Sequence, residues 1–144
     1  MVSLATPRER FGFPSLDGNA VLVVDDHLDN TQFLADLLEF CGATVWTASS
    51  AGQARRLLED RSFSLVICDL QMPHETGAQL IRWLRRRPDD RATVAAVAVT
   101  AYPKEFLGTG DARAFDAFFL KPIEVTDFVR TIATILSRPH LKRA

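Results

Sequence analysis

The chain has 144 residues, 47% of them hydrophobic and 24% charged, which suits one domain around one hydrophobic core. A net charge of -1 carries no electrostatic footprint of a nucleic-acid binder, and no run approaches the ~20 apolar residues a membrane helix needs. Residues 1–18 contain no uninterrupted apolar stretch of the signal-peptide kind, so a cytoplasmic location is the expectation.

Residues 1–18 hold Pro7, Gly12, Pro14 and Gly18 among polar residues and read as an arm outside the core, with Phe11 and Phe13 able to pin it to the surface. Ala20 to Val24 is a continuous apolar run, the signature of a strand covered on both faces. Asp29 to Cys41 carries Phe33, Leu34, Leu37, Leu38 and Cys41 at helical spacing, with Gly42 where a helix ends. Thr44 to Thr47 reads as a second strand. Ser49 or Ser50 caps a helix that carries Ala54, Leu57 and Leu58. Ser64 to Cys68 is a third strand, followed by a helix from about Gly77 to Arg87 with Leu80, Ile81 and Leu84 inward and Pro88 beyond its end. Val94 to Val99 is a fourth strand. Pro103 to Ala114 is a weak helix diluted by Gly108 and Gly110, and Phe115 to Leu120 is a fifth strand. The last helix carries one apolar stripe: Val125, Phe128, Val129, Ile132, Ile135 and Leu136. Cys41 and Cys68 fall in a helix end and a strand, so buried free thiols are expected rather than a disulfide.

Strands alternating with helices imply an α/β fold: a doubly wound, five-stranded parallel sheet with helices on both faces and right-handed crossovers. Two architectures fit, a flavodoxin-like order 2-1-3-4-5 and a shorter Rossmann order. Open sheets of this kind bind ligands at the C-terminal ends of their strands. Strand one ends in Asp25-Asp26, strand three in Asp69, strand four in Thr100 and strand five in Lys121-Pro122. In order 2-1-3-4-5 the three carboxylates converge, with Thr100 and Lys121 opposite. Crowded carboxylates resist joint ionisation unless a cation joins them. Oxygen ligands favour Mg²⁺, which keeps room for phosphate oxygens, while Lys121 adds a point charge and Thr100 a hydroxyl. Such a site can hold a phosphoryl group beside a carboxylate nucleophile.

From Ala20 to Leu136 the sequence resembles the response-regulator receiver family. Val21-Leu22-Val23-Val24-Asp25-Asp26 is similar to its first strand with the acidic pair. Asp69-Leu70-Gln71-Met72-Pro73, with Gly77 beyond, is similar to its phosphoacceptor segment, Val99-Thr100-Ala101 to its switch threonine, and Leu120-Lys121-Pro122 to its lysine-proline. The resemblance implies that Asp69 is phosphorylated. It implies that Asp26 and Asp69 bind Mg²⁺ through their side chains, Gln71 through its backbone carbonyl and Asp25 mainly through a metal-bound water. It further implies that Lys121 pairs with the phosphoryl group, that Thr100 moves to bond it, that Ala101 must stay small, and that the bond before Pro122 is cis. Phe118 matches the aromatic switch position, where a phenylalanine couples by packing alone. Gln71 and Tyr102 occupy the family's variable positions, which modulate phosphate lifetime, and a bulky Tyr102 would shield the acyl phosphate.

Other readings of the same residues weigh less. A haloacid-dehalogenase-type phosphatase needs a second aspartate two residues after its nucleophile, where His27 follows Asp25. A mononucleotide or flavin binder needs a Gly-rich loop after strand one, and Asp25-Asp26-His27-Leu28 stands there. A degenerate receiver serving as a docking module would not need a complete acidic pocket. His27, His74 and His140 are scattered and read as surface residues. The Arg85-Arg86-Arg87 run suits a helix C-terminus. The expected division is an arm at 1–18, a receiver at 19–137 and a tail at 138–144. The expected donor is a histidine kinase or histidine phosphotransfer protein. With eight residues after Leu136, the expected output is a protein contact, to a target or a homodimer, through about residues 103–136, with no direct nucleic acid and no membrane.

Overall fold

A computed structural model describes residues 5–101 and 109–138 of the chain. Five parallel strands form one sheet: β1 (Ala20–Val24), β2 (Thr44–Ala48), β3 (Leu65–Cys68), β4 (Ala95–Thr100) and β5 (Ala117–Leu120), in the order β2-β1-β3-β4-β5. Of the two architectures the sequence allows, this is the flavodoxin-like one. The register pairs Val24 with Cys68 and Thr100 with Leu120, so β1 and β3, and likewise β4 and β5, finish level with each other. The residues after each strand therefore meet at one rim.

The continuous apolar runs reflect burial on both faces. Leu22, Val24, Val66, Cys68, Ala96 and Ala98 point to one side, and Val21, Val23, Leu65, Ile67, Val97 and Val99 to the other. The first side is covered by α3 (Ala51–Asp60) through Ala54 and Leu58 and by α4 (Gly77–Arg85) through Leu80, Ile81 and Leu84. The second is covered by α2 (Leu28–Phe40) through Leu34 and Leu38 and by α6 (Val125–Ser137) through Phe128, Val129 and Ile132. Helix starts follow their caps. Ser50 accepts the Gln53 N–H at 3.1 Å, and Thr76 and Gln79 form a reciprocal capping box before α4. Gly42 ends α2 with φ 106°, as a glycine beyond a helix C-cap does. Cys41 and Cys68 are free and buried on opposite faces of the sheet.

Two local features differ from the sequence reading, and a third expectation falls partly outside the described residues. Phe33 is 49% exposed, because α2 turns Thr31, Leu34, Ala35 and Leu38 inward and neighbouring helical positions lie about 100° apart. A short 3₁₀ turn at Asp90–Thr93, capped by Asp89, precedes β4. Of the weak helix expected over Pro103–Ala114, α5 (Thr109–Arg113) is its described part. No helix among the described residues is long and apolar enough to cross a membrane.

The segment read as an arm contributes to the core. A four-residue helix, α1 (Pro7–Arg10), is capped by Thr6 and Glu9, and Arg8 donates to the Phe13 carbonyl. Leu16 is 1% exposed, lies among Val21, Leu38 and Val129, and its N–H donates to the Cys41 carbonyl at 2.7 Å. Sequence composition points to an arm because Pro7, Gly12, Pro14 and Gly18 punctuate it, whereas the buried Leu16 anchors it and Phe11 and Phe13 pack against Phe40, as their place in the sequence suggests. Leu16→Ala is expected to cost about 2–5 kcal/mol in urea unfolding, the range for a buried leucine truncated to alanine. Phe11→Ala, at a side chain 68% exposed, is expected to change stability by no more than about 0.5 kcal/mol.

Candidate functional site

The rim at the strand ends is built from four connections. The Asp25 N–H donates to the Ala48 carbonyl and the Asp69 N–H to the Val24 carbonyl, so both aspartates extend the sheet ladder by one residue before the chain turns away. The Lys121 N–H donates to the Thr100 carbonyl at 2.8 Å in the same manner. Asp25, Asp69 and Thr100 are buried, and Asp26 is partly exposed at the mouth.

Lys121 Nζ lies 3.1 Å from Asp25 Oδ2 and 2.9 Å from Asp69 Oδ2, bridging the two buried carboxylates. The other oxygen of Asp69 accepts the Gln71 N–H at 3.0 Å. Asp25 Oδ1 accepts the His27 N–H at 2.9 Å, and its Oδ2 also accepts from Asn30 at 3.2 Å. Burial pushes the Asp25 carboxyl up, but the His27 N–H, the Lys121 ammonium and the His27 ring outweigh it and hold it below the usual carboxylate range. Burial pulls the Lys121 ammonium down, and its bonds to Asp69 and Asp25 more than offset this, so its pKa stands above the ordinary lysine value. Burial, reinforced by the charges of Asp69 and Asp25, pushes the Cys68 thiol far up and keeps it protonated behind the site.

Asp26 is the uncompensated member. Its Oδ1 is buried and makes no hydrogen bond, although His27 Nδ1 stands 3.2 Å away. One ligand atom each from Asp25, Asp26, His27 and Asp69 lie within 4.8 Å of one another. Three carboxylates at that spacing, with one oxygen left without a partner, fit a hard divalent cation.

Other expected site residues fall around this centre. Thr100 ends β4, and Ala101 follows it, exposed. Phe118, in the middle of β5, is half-buried against the core and tilts against Phe115 at 5.2 Å. The Lys121–Pro122 peptide bond is cis. Gln71 is exposed beside Asp69. Tyr102 lies outside the described residues.

Two residues of the site, and the close packing of a third, were not read from the sequence. His27, expected as a scattered surface histidine, has an exposed ring that nevertheless reaches Asp25 Oδ1 and Asp26 Oδ1. The signal was its place directly after the acidic pair. Asn30, one turn further on, could have been found as a residue facing the strand end. Gly77 packs so closely that a Cβ there would lie 2.2 Å from the Asp69 carbonyl oxygen. That requirement depends on the loop path and is invisible in spacing.

Comparisons with known proteins agree with this arrangement. The family model "Response regulator receiver domain" matches residues 21–133. The polar-differentiation response regulator DivK of Brucella anthropi is 27% identical over 122 residues, covering 81% of this chain and 95% of that protein. The fold superposes on a CheY-like receiver domain from Methylobacillus flagellatus with a TM-score of 0.73 and 27% identity, covering 81% of this chain and 98% of that one. It likewise superposes on the response regulator TrrA of Thermotoga maritima, solved in complex with Mg²⁺-BeF, with a TM-score of 0.72, 22% identity and coverage of 81% and 98%. The acidic pair, the buried aspartate and the lysine that joins them stand at the strand ends of the matched region, and the chain belongs to the response-regulator receiver family.

Proposed function

We propose that this chain is a response regulator that takes a phosphoryl group onto Asp69 from a phosphohistidine of a histidine kinase or a histidine phosphotransfer protein. The observation that carries the reading is the Lys121 bridge between Asp25 and Asp69, beside an Asp26 oxygen without a partner. The pocket thus combines a lysine cation, a nucleophile and an incomplete set of oxygen ligands.

Asp69 Oδ1 is fixed by the Gln71 N–H, which leaves Oδ2 and its contact with Lys121 as the adjustable side of the carboxylate. An O–P bond forms at Asp69 as the P–N bond of the donor breaks and the imidazole departs. Asp25, Asp26 and Asp69, with the Gln71 backbone carbonyl, would hold Mg²⁺, whose charge offsets that of the transferring group. Lys121 exchanges its carboxylate partners for a phosphoryl oxygen, and the Thr100 hydroxyl approaches another. The small Ala101 leaves the entrance open, while Gln71 borders the path of the water that ends the state. Phe118 then repacks against Phe115, coupling the site to α5 and β5. The chain's chemistry is limited to its own phosphorylation and dephosphorylation. Output is a shift in the population of a protein-binding surface over about 103–136, on which Leu120 is 55% exposed. Its partner is a downstream protein or a second copy.

Incubation with acetyl phosphate and Mg²⁺ is expected to add the mass of one phosphoryl group to the intact protein, and both EDTA and Asp69→Asn are expected to abolish the gain. A gain that persists in Asp69→Asn would refute the assignment.

A further inference from the structure

We infer that His27 is a ligand to the metal of this site, giving the receiver a preference for imidazole-binding dications such as Zn²⁺, Co²⁺ and Ni²⁺ over Mg²⁺. The inference rests on the acidic pocket being the metal centre.

His27 occupies the N-cap position of α2, where a side chain ordinarily bonds the first free N–H groups of the helix, yet its ring makes no such bond. Its backbone is tied instead to Asp25 Oδ1, and the ring lies over the pocket with Nδ1 3.2 Å from both Asp25 Oδ1 and Asp26 Oδ1. The Asp26 oxygen it faces is the buried one that makes no hydrogen bond. In an octahedral shell with bonds of about 2.1 Å, adjacent ligand atoms stand about 3 Å apart and opposite ones about 4.2 Å apart. The four ligand atoms from Asp25, Asp26, His27 and Asp69 are already within 4.8 Å of one another, so a small contraction brings the imidazole into one shell with the carboxylates. A nitrogen donor changes the selectivity of an oxygen site. Mg²⁺ favours carboxylate and water, whereas imidazole suits the later first-row metals. The ring is 66% exposed at the mouth, where it can turn onto an arriving ion without disturbing the core. Asp69 and Lys121 sit deeper, so the preference is set at the rim.

The test is calorimetric titration of the full chain with Zn²⁺ and, separately, Mg²⁺, for the wild type, His27→Asn and Asp26→Asn, together with ¹⁵N spectra of the histidine rings during Zn²⁺ addition. In His27→Asn, Zn²⁺ affinity is expected to fall by about 10–100-fold while Mg²⁺ affinity stays near the wild-type value. A ring nitrogen assigned to His27 by its absence from the variant is expected to shift on Zn²⁺ binding. Unchanged Zn²⁺ affinity in His27→Asn, an unmoved His27 resonance, or an equal loss of both metals would overturn the inference while leaving the pocket as a metal centre. If Asp26→Asn leaves both affinities unchanged, the pocket is not the metal centre, and the underlying reading fails with the inference.

Discussion

Asp26→Asn is expected to raise the melting temperature of the metal-free protein and to weaken Mg²⁺ binding at the same time. Asp25, Asp26 and Asp69 bring ligand oxygens within 4.8 Å of one another, and Lys121 pairs with Asp25 and Asp69 but not with Asp26. At an effective dielectric near 20, two like charges 4–5 Å apart repel by about 3–4 kcal/mol, and partial exposure of Asp26 lowers this. A net gain of about 1–2 kcal/mol follows, or roughly 3–8 °C for a domain of this size. On the proposed function the same substitution removes a charged ligand, so Mg²⁺ affinity is expected to fall at least about tenfold, since even the partners that merely orient a ligand are worth that much. Differential scanning calorimetry with and without Mg²⁺ checks both halves. The wild type gains from saturating Mg²⁺ by mass action, and the variant gains much less. A variant less stable than the wild type without metal would mean that Asp26 is compensated by a partner other than the metal.

Gly77→Ala is expected to be strongly destabilising for a change of one methyl group. The added Cβ would lie 2.2 Å from the Asp69 carbonyl oxygen and 3.0 Å from both the Asp69 carbonyl carbon and Cys68 Sγ. Two of these are backbone atoms of Asp69, the proposed phosphoacceptor, and cannot swing aside. The helix must move or the Asp69 loop must. Overpacking of this kind costs about 1–3 kcal/mol where side chains can yield, so a loss of about 3 kcal/mol or more is expected. Because the displaced atoms carry Asp69, phosphorylation by acetyl phosphate is also expected to slow, by about 100-fold for a misplacement near 1 Å. Gly52→Ala is the control. It lies in α3 with nothing within 4 Å of the new Cβ, and replacing a helical glycine there is expected to stabilise by about 0.5–1 kcal/mol. Equal effects of the two changes in urea unfolding would contradict the account of the close contact.

Most of the architecture was legible because its causes are local. The apolar runs of β1 and β3 announce strands buried on both faces, and the carboxylates directly after them mark where the sheet ends. Lys121 meets Asp25 from 96 positions away because both follow strands that end at the same rim, and a long side chain spans the strands between β5 and β1. What escaped depends on three-dimensional paths. Leu16 is one of several apolar residues in a segment punctuated by prolines and glycines, and the docking of that segment on the α2–β2 turn buries it. Arg85, in a run expected merely to complement a helix end, reaches the carbonyls of Ala92, Val94 and Ala114 and ties α4 to the start of β4 and the end of α5. His27 carries no metal-ligand spacing to another histidine, and its partners are the acidic neighbours whose side chains fold back on it.

Asp69, rather than either of its acidic neighbours, is expected to form the acyl phosphate. Borohydride reduces an acyl phosphate to the alcohol, so a phosphorylated aspartate becomes homoserine and keeps a permanent mass change. After treatment with acetyl phosphate and Mg²⁺, reduction and peptide mapping, homoserine is expected at position 69 and nowhere else. Reduction at Asp25 or Asp26, or an unmodified Asp69 in protein that has gained a phosphoryl group, would contradict the account.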